Sequence, residues 1–164
     1  MFFYEHKRYL LTVLFFTLYI FTNAQTNLPV FDFAQYEKRV LQQNDTLYVV
    51  NFWATWCKPC VEELPFFEKA KQTFSKQMVK FILVSQDAKA RSSYAADFLK
   101  KNNYTSESFI LSAGNPNVWI DKIDTSWSGL IPMTVFYKAG KKVYFHESDY
   151  ATYEELEKII HSKL

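Results

Sequence analysis

Cys57 and Cys60 are the only two cysteines among 164 residues, and just Lys58 and Pro59 separate them. A disulfide closing so small a loop adds little stability, because that stabilisation grows with loop length. A zinc site would need two further ligands, and beyond residue 24 only His146 and His161 could join the thiols. Exchange of a disulfide with another molecule is the better use of such a pair. The staple and the metal site stay as the alternatives.

The elements around the pair say how it would work. Leu47 to Trp53 is a continuous apolar run suited to a buried central strand, and Ala54-Thr55-Trp56 turns the chain into a helix running from Cys57 to about Phe74, with Pro65 inside it. Cys57 then stands at a helix N-terminus, where unpaired N–H groups and the helix dipole favour the thiolate. That makes Cys57 the attacking residue. Lys58 adds a positive charge beside it, and Pro59 fits a first turn that needs no intrahelical N–H. Cys60 lies one turn further in, placed to resolve a mixed disulfide formed by Cys57, and as the more buried thiol it needs a proton acceptor. Glu63 is one turn beyond on the same face, so it is either that acid/base group or an ordinary solvated glutamate; spacing alone leaves both open.

The rest of the chain alternates strands and helices, the pattern of a single α/β domain. A helix is expected over Phe33 to Gln43, ended by Asn44-Asp45. A second buried strand follows over Met78 to Ser85. The next helix, capped by Ser92 or Ser93, reaches Lys101 and should bury Tyr94, Phe98 and Leu99. A short strand over Phe109 to Leu111 and a short helix over Asn117 to Ile123 come next. Met133 to Tyr137 and Lys141 to His146 form a hairpin about Lys138-Ala139-Gly140. Thr152 and Glu155 read as a capping box for the last helix, with Tyr153, Leu156, Ile159 and Ile160 as its apolar stripe.

Nearly half the residues (49%) are apolar, ample for one core in a chain of this length. The first 24 residues read as a secretory signal peptide or an uncleaved anchor: Lys7 and Arg8 precede an apolar run from Tyr9 to Phe21, followed by Thr22-Asn23-Ala24. That run is shorter than the roughly 20 residues a membrane span needs, which favours cleavage after Ala24 and a domain over residues 25–164. Either outcome places the domain outside the cytoplasm, periplasm above all. Without those 24 residues the chain keeps 17 basic and 16 acidic side chains, a balance with no footprint for nucleic acid.

The run Asn51-Phe52-Trp53-Ala54-Thr55-Trp56-Cys57-Lys58-Pro59-Cys60 resembles the active-site segment of the thioredoxin superfamily. Continued through Val61-Glu62-Glu63-Leu64-Pro65, it resembles the TlpA/ResA-like branch of exported thiol-disulfide oxidoreductases, which carries a carboxylate three residues after its second cysteine and a proline two further on. The resemblance implies a thioredoxin-like fold, a central mixed β-sheet flanked by helices, with Asp87 to Ser112 as an αβ insertion. It implies the acid/base role for Glu63, the more so because Asn51 stands where cytosolic thioredoxins carry a buried aspartate. Ile131-Pro132 matches the cis-proline site that pairs with substrate backbone. Trp53, Trp56 and Trp127 read as rim or core aromatics, with Trp56 covering Cys57. Met133 and the stretch around His146-Glu147 depart from the usual pattern, so no substrate carries over from the family.

The activity implied is reduction of disulfides in other exported proteins, apocytochrome c among them, by a monomer recharged from a membrane thiol donor and needing no cofactor beyond its own redox-active disulfide. Lys58 pulls the potential toward the oxidising side, which keeps a disulfide oxidant or isomerase as the alternative. A non-catalytic copper module using both thiols and His146 is the reading from a different class.

Overall fold

The structure, a computed structural model, describes residues 27–164. The signal or anchor segment expected over residues 1–24 lies outside the described residues. Among the described residues no helix is long and apolar enough to cross a membrane.

A six-stranded sheet organises the domain. Its strands are β1 (Val30–Phe31), β2 (Leu47–Trp53), β3 (Val79–Ser85), β4 (Glu107–Leu111), β5 (Met133–Lys138) and β6 (Lys141–His146), in the order β1-β4-β3-β2-β5-β6. The strands β1, β4, β3 and β2 pair in parallel, while β5 and β6 run antiparallel, so the sheet is mixed. Every residue of β2 is buried, as expected of a strand covered on both faces.

Five helices cover it: α1 (Phe33–Val40), α2 (Lys58–Thr73), α3 (Ser92–Lys101), α4 (Ile120–Ile123) and α5 (Tyr153–Lys163). Alternation along β2 splits the core in two. Leu47, Val49 and Trp53 meet Leu64 and Phe67 of α2, Phe74 at its C-cap, Leu99 of α3, and Leu156 and Ile160 of α5. Tyr48, Val50 and Phe52 meet Tyr36 and Val40 of α1, Ile123 of α4, and Trp119 and Trp127. The stretch Asp87 to Ser112 holds a 3-10 turn, α3 and β4, and β4 gives the two-residue β1 its place at the sheet edge.

Several expectations need correction. The first helix ends at Val40 rather than Gln43. It begins with a capping box the sequence reading passed over, in which Asp32 accepts from the Gln35 N–H and Gln35 reaches back to the Asp32 N–H. Neither Ser92 nor Ser93 caps α3, because a 3-10 turn over Lys89–Arg91 leads directly into it and Arg91 holds the cap position. The inward face of α3 falls on Ala95, Ala96 and Leu99, which leaves Tyr94 exposed under the Arg91 guanidinium and Phe98 half-buried. At α5 the box is half made: Thr152 accepts from the Glu155 N–H, but the Glu155 carboxylate turns to the N–H of Ala151. The hairpin turns on Ala139 and Gly140, both at positive φ, as a two-residue loop requires, and Gly140 backs onto the Gln43 side chain where a Cβ would collide.

Candidate active site

Strand β2 runs out at Trp53, and the chain turns through Thr55 and Trp56 before α2 begins at Lys58 with Cys57 as its N-cap. The turn is held by Asp87, which follows β3. Trp53 and Ser85 pair in register, so Thr55 and Asp87 stand equally far past the ends of two adjacent parallel strands. There the Asp87 carboxylate accepts from the Thr55 N–H at 3.0 Å, the Thr55 hydroxyl at 2.6 Å and the Ser85 hydroxyl at 3.0 Å. Nothing in the sequence reading singled out Asp87. Its signal was positional: an aspartate just beyond the carboxyl end of a buried parallel strand, where sites in open α/β sheets collect.

The two sulfurs are joined as a disulfide. Cys57 keeps 6% of its surface exposed and Cys60 none, so an incoming partner meets Cys57. The Cys60 N–H, one of the unpaired donors of the first helical turn, points at the Cys57 sulfur at 3.3 Å. That donor and the helix dipole are placed to hold negative charge on Cys57 once the disulfide opens. Pro59 sits in the first turn without depriving the helix of a bond. Lys58 is exposed and faces Glu62 at 3.7 Å, so part of its charge is offset.

The Ile131–Pro132 peptide is cis, and the Ile131 carbonyl oxygen lies 3.7 Å from the Cys57 sulfur. Pro132 is buried and leads into β5. The preceding loop is braced twice: the Trp127 indole N–H donates to the Leu130 carbonyl at 2.8 Å, and the Glu147 carboxylate accepts from both the N–H and the hydroxyl of Ser128. The stretch around His146-Glu147, noted only as a departure in the sequence, thereby acquires a task. Trp53 and Trp127 are core, while Trp56 projects outward beside Cys57 with 63% of its surface exposed.

Glu63 is 1% exposed, which removes the solvated-glutamate alternative. It faces the sheet, where Asn51 Nδ2 donates to its Oε1 at 2.7 Å and the Tyr150 N–H donates to its Oε2 at 2.9 Å. Burial pushes its carboxyl up from the usual carboxylate range to about 7. The Tyr150 and Asn51 donors pull against that burial, and the Asp149 charge adds to it. Asn51 is itself fully buried, and its Nδ2 also donates to Thr134 Oγ1 at 3.2 Å across the β2–β5 pairing. Thr134 and Tyr150 escaped the sequence reading because their link to the cysteine helix exists only in the folded sheet.

His146, the third ligand of the copper alternative, stacks on Tyr150 with ring centroids 4.7 Å apart. Among the described residues no three His, Cys, Asp or Glu side chains gather to hold a metal ion.

Residues 28–99 match the family model described as Thioredoxin, and this match covers the cysteine motif together with its strand and helix. Over these residues, somewhat under half of the chain, the sequence is similar to thioredoxin. The thioredoxin-like segment is 33% identical over 54 residues to the thiol-disulfide oxidoreductase ResA of Geobacillus kaustophilus, covering 33% of this chain and 31% of ResA. It is 31% identical over 58 residues to the sporulation thiol-disulfide oxidoreductase A of Bacillus subtilis, covering 35% of each chain. The aligned stretches span about a third of these curated relatives. The crystal structure of a thiol:disulfide interchange protein of the thioredoxin family from Chlorobium tepidum matches with a TM-score of 0.58 at 19% identity, over 74% of this chain and 81% of that one. The thioredoxin-like fold, including the αβ insertion and the mixed sheet, is therefore as expected from the sequence.

Proposed function

We propose that this protein is an extracytoplasmic thiol-disulfide oxidoreductase that reduces disulfides in other exported proteins through a Cys57/Cys60 cycle. The observation that carries the proposal is the stacking of three groups in one helix: Cys57 at its mouth, Cys60 sealed beneath, and a buried Glu63 one turn further. The identity to ResA and to the sporulation oxidoreductase over this segment supports it.

In the reduced protein the Cys57 thiolate attacks a substrate disulfide, forming a Cys57 mixed disulfide and expelling one substrate thiolate, which takes a proton from solvent. Glu63 accepts the Cys60 proton. The Cys60 thiolate then attacks the Cys57 sulfur, closes the Cys57–Cys60 disulfide and expels the second substrate sulfur as a thiolate, which takes a proton from solvent while Glu63 returns its own proton to solvent. Two electrons pass to the substrate, and a membrane thiol donor restores the dithiol. The cis Ile131–Pro132 edge beside Cys57 offers a backbone carbonyl to the bound substrate strand, with Trp56 at its rim. The haem-site cysteines of apocytochrome c are a client that the family resemblance suggests, and the N-terminal segment is the means of export or anchoring.

Changing Cys60 to Ser in the full chain tests the cycle, since it should trap clients on Cys57 as mixed disulfides that a further Cys57→Ala change abolishes. No trapped species would overturn the mechanism. Equilibration with glutathione tests the direction: a strongly oxidising potential would replace the reductant by a disulfide-forming enzyme.

A further inference from the structure

Glu63 has two donors and no acceptor for a proton of its own. With the carboxyl ionised, Asn51 Nδ2 and the Tyr150 N–H satisfy its two oxygens. Once it takes the Cys60 proton, its O–H must donate to something, and a backbone N–H cannot accept. Asn51 can. Its carboxamide is fully buried, and its Oδ1 has no hydrogen-bond partner among the described residues. Its Nδ2 is shared between Glu63 and Thr134 Oγ1. Turned through half a rotation about its last bond, the amide presents Oδ1 to the same two neighbours. It then accepts from the protonated Glu63, and the Thr134 hydroxyl, which accepts in the first arrangement, donates in the second.

We propose that Asn51 is the positioning residue for Glu63: a two-sided carboxamide that donates to the ionised acid and accepts from the protonated one, so that Glu63 loads and unloads a proton without moving. This deepens the acid/base reading of Glu63 and rests on it. An aspartate at position 51 would put a second negative charge against the carboxylate, and an aliphatic residue would serve neither state. The other titratable groups facing this place are Cys60 from the same helix, Asp149 and Tyr150 from the segment after β6, His146 of β6 stacked on Tyr150, and Glu155 near the start of α5. The Tyr150 hydroxyl is directed toward Thr134 but reaches no hydrogen-bond geometry with it. None of these groups donates a side-chain hydrogen bond to Glu63 in the folded protein.

The test is a pH titration followed by NMR at the Glu63 carboxyl carbon and the Asn51 side-chain amide, with single-turnover rates of mixed-disulfide resolution over the same pH range. In the unaltered protein the Asn51 amide signals should titrate with the midpoint of Glu63, and Asn51→Leu should raise that midpoint by about one pH unit, because of the two bonds lost the charge-assisted one to the ionised form is the stronger. In a Glu63→Gln background Asn51→Leu should not move the rate profile. An Asn51 amide that stays silent while Glu63 titrates, or a Glu63 midpoint unmoved by Asn51→Leu, would overturn the proposal. Should the Leu variant not fold, the amide signals of the unaltered protein still decide. If Glu63→Gln alone leaves resolution untouched, it is the acid/base role of Glu63 that falls, and the NMR midpoints still decide what Asn51 does to the carboxyl.

Discussion

Asp87 and Glu63 are both buried carboxylates, 3% and 1% exposed, one bonded to the turn before the cysteine motif and the other in the helix beyond it. Asp87 accepts three hydrogen bonds, two from one residue, Thr55, and one from Ser85 at the end of the neighbouring strand. It thus ties the turn after one strand to the end of the next, and acts as a clamp on the turn before Cys57. Glu63 accepts only two, from a strand amide and from a backbone N–H far along the chain. Burial that is incompletely offset leaves it with an appetite for a proton near neutral pH. The contrast lies in the donors: three satisfy Asp87, while the two at Glu63 leave its burial incompletely offset, which is the condition the proposed proton transfer requires.

The largest effect should come from emptying the clamp. Asp87→Ala strands the Thr55 N–H and two hydroxyls, and should cost about 3 kcal/mol by urea denaturation. A loss under about 1 kcal/mol would mean that the turn before Cys57 holds itself. A pH-dependent effect of similar size separates Glu63 from it. The Glu63 carboxyl releases its proton at about 7 in the folded protein against 4.5 in the unfolded chain. Its folded form therefore loses stability as pH rises from about 4.5 through 7, a difference of about 3 kcal/mol that is absent below that window and complete above it. Glu63→Gln should flatten this slope between pH 4 and pH 8, while resolution of the mixed disulfide slows about 100-fold. An unchanged slope would make Glu63 a second clamp.

Thr55→Val removes one hydroxyl from Asp87 but keeps the N–H, and should cost about 1 kcal/mol with no change in pH dependence. Smallest of all, Lys58→Ala breaks only an exposed pair with Glu62 and should shift stability by ~0.5 kcal/mol or less. A larger shift would show that charge at the helix mouth matters to the fold as well as to the thiolate.

What the sequence disclosed and what it hid divide along the same line. The cysteine helix, its strand and the position of Glu63 are local: they follow from a run of apolar residues, a turn and spacings of three. The clamp is not, because Thr55 and Asp87 are 32 residues apart and meet only through strand register. The same holds for Asn51, Thr134 and Tyr150, drawn together from two strands and a distant loop. Strand β1 escaped notice because two residues carry no periodicity; its place depends on β4. In α3, tertiary packing chose a face lined with alanines over one that would have hidden Tyr94. The capping box at Asp32 and Gln35 is local, a polar pair three residues apart just ahead of a helix, and so is legible in the sequence.

The loop that carries Ile131 is tied by an indole at one point and by a carboxylate at another. A surface stiffened in advance gives up little freedom when another chain settles on it, so less of the contact energy is spent on ordering the loop. Under the proposed function, clients would then be sorted by whether their own chain can flatten into an extended segment beside the disulfide, a property common in unfolded chains and rare in folded ones.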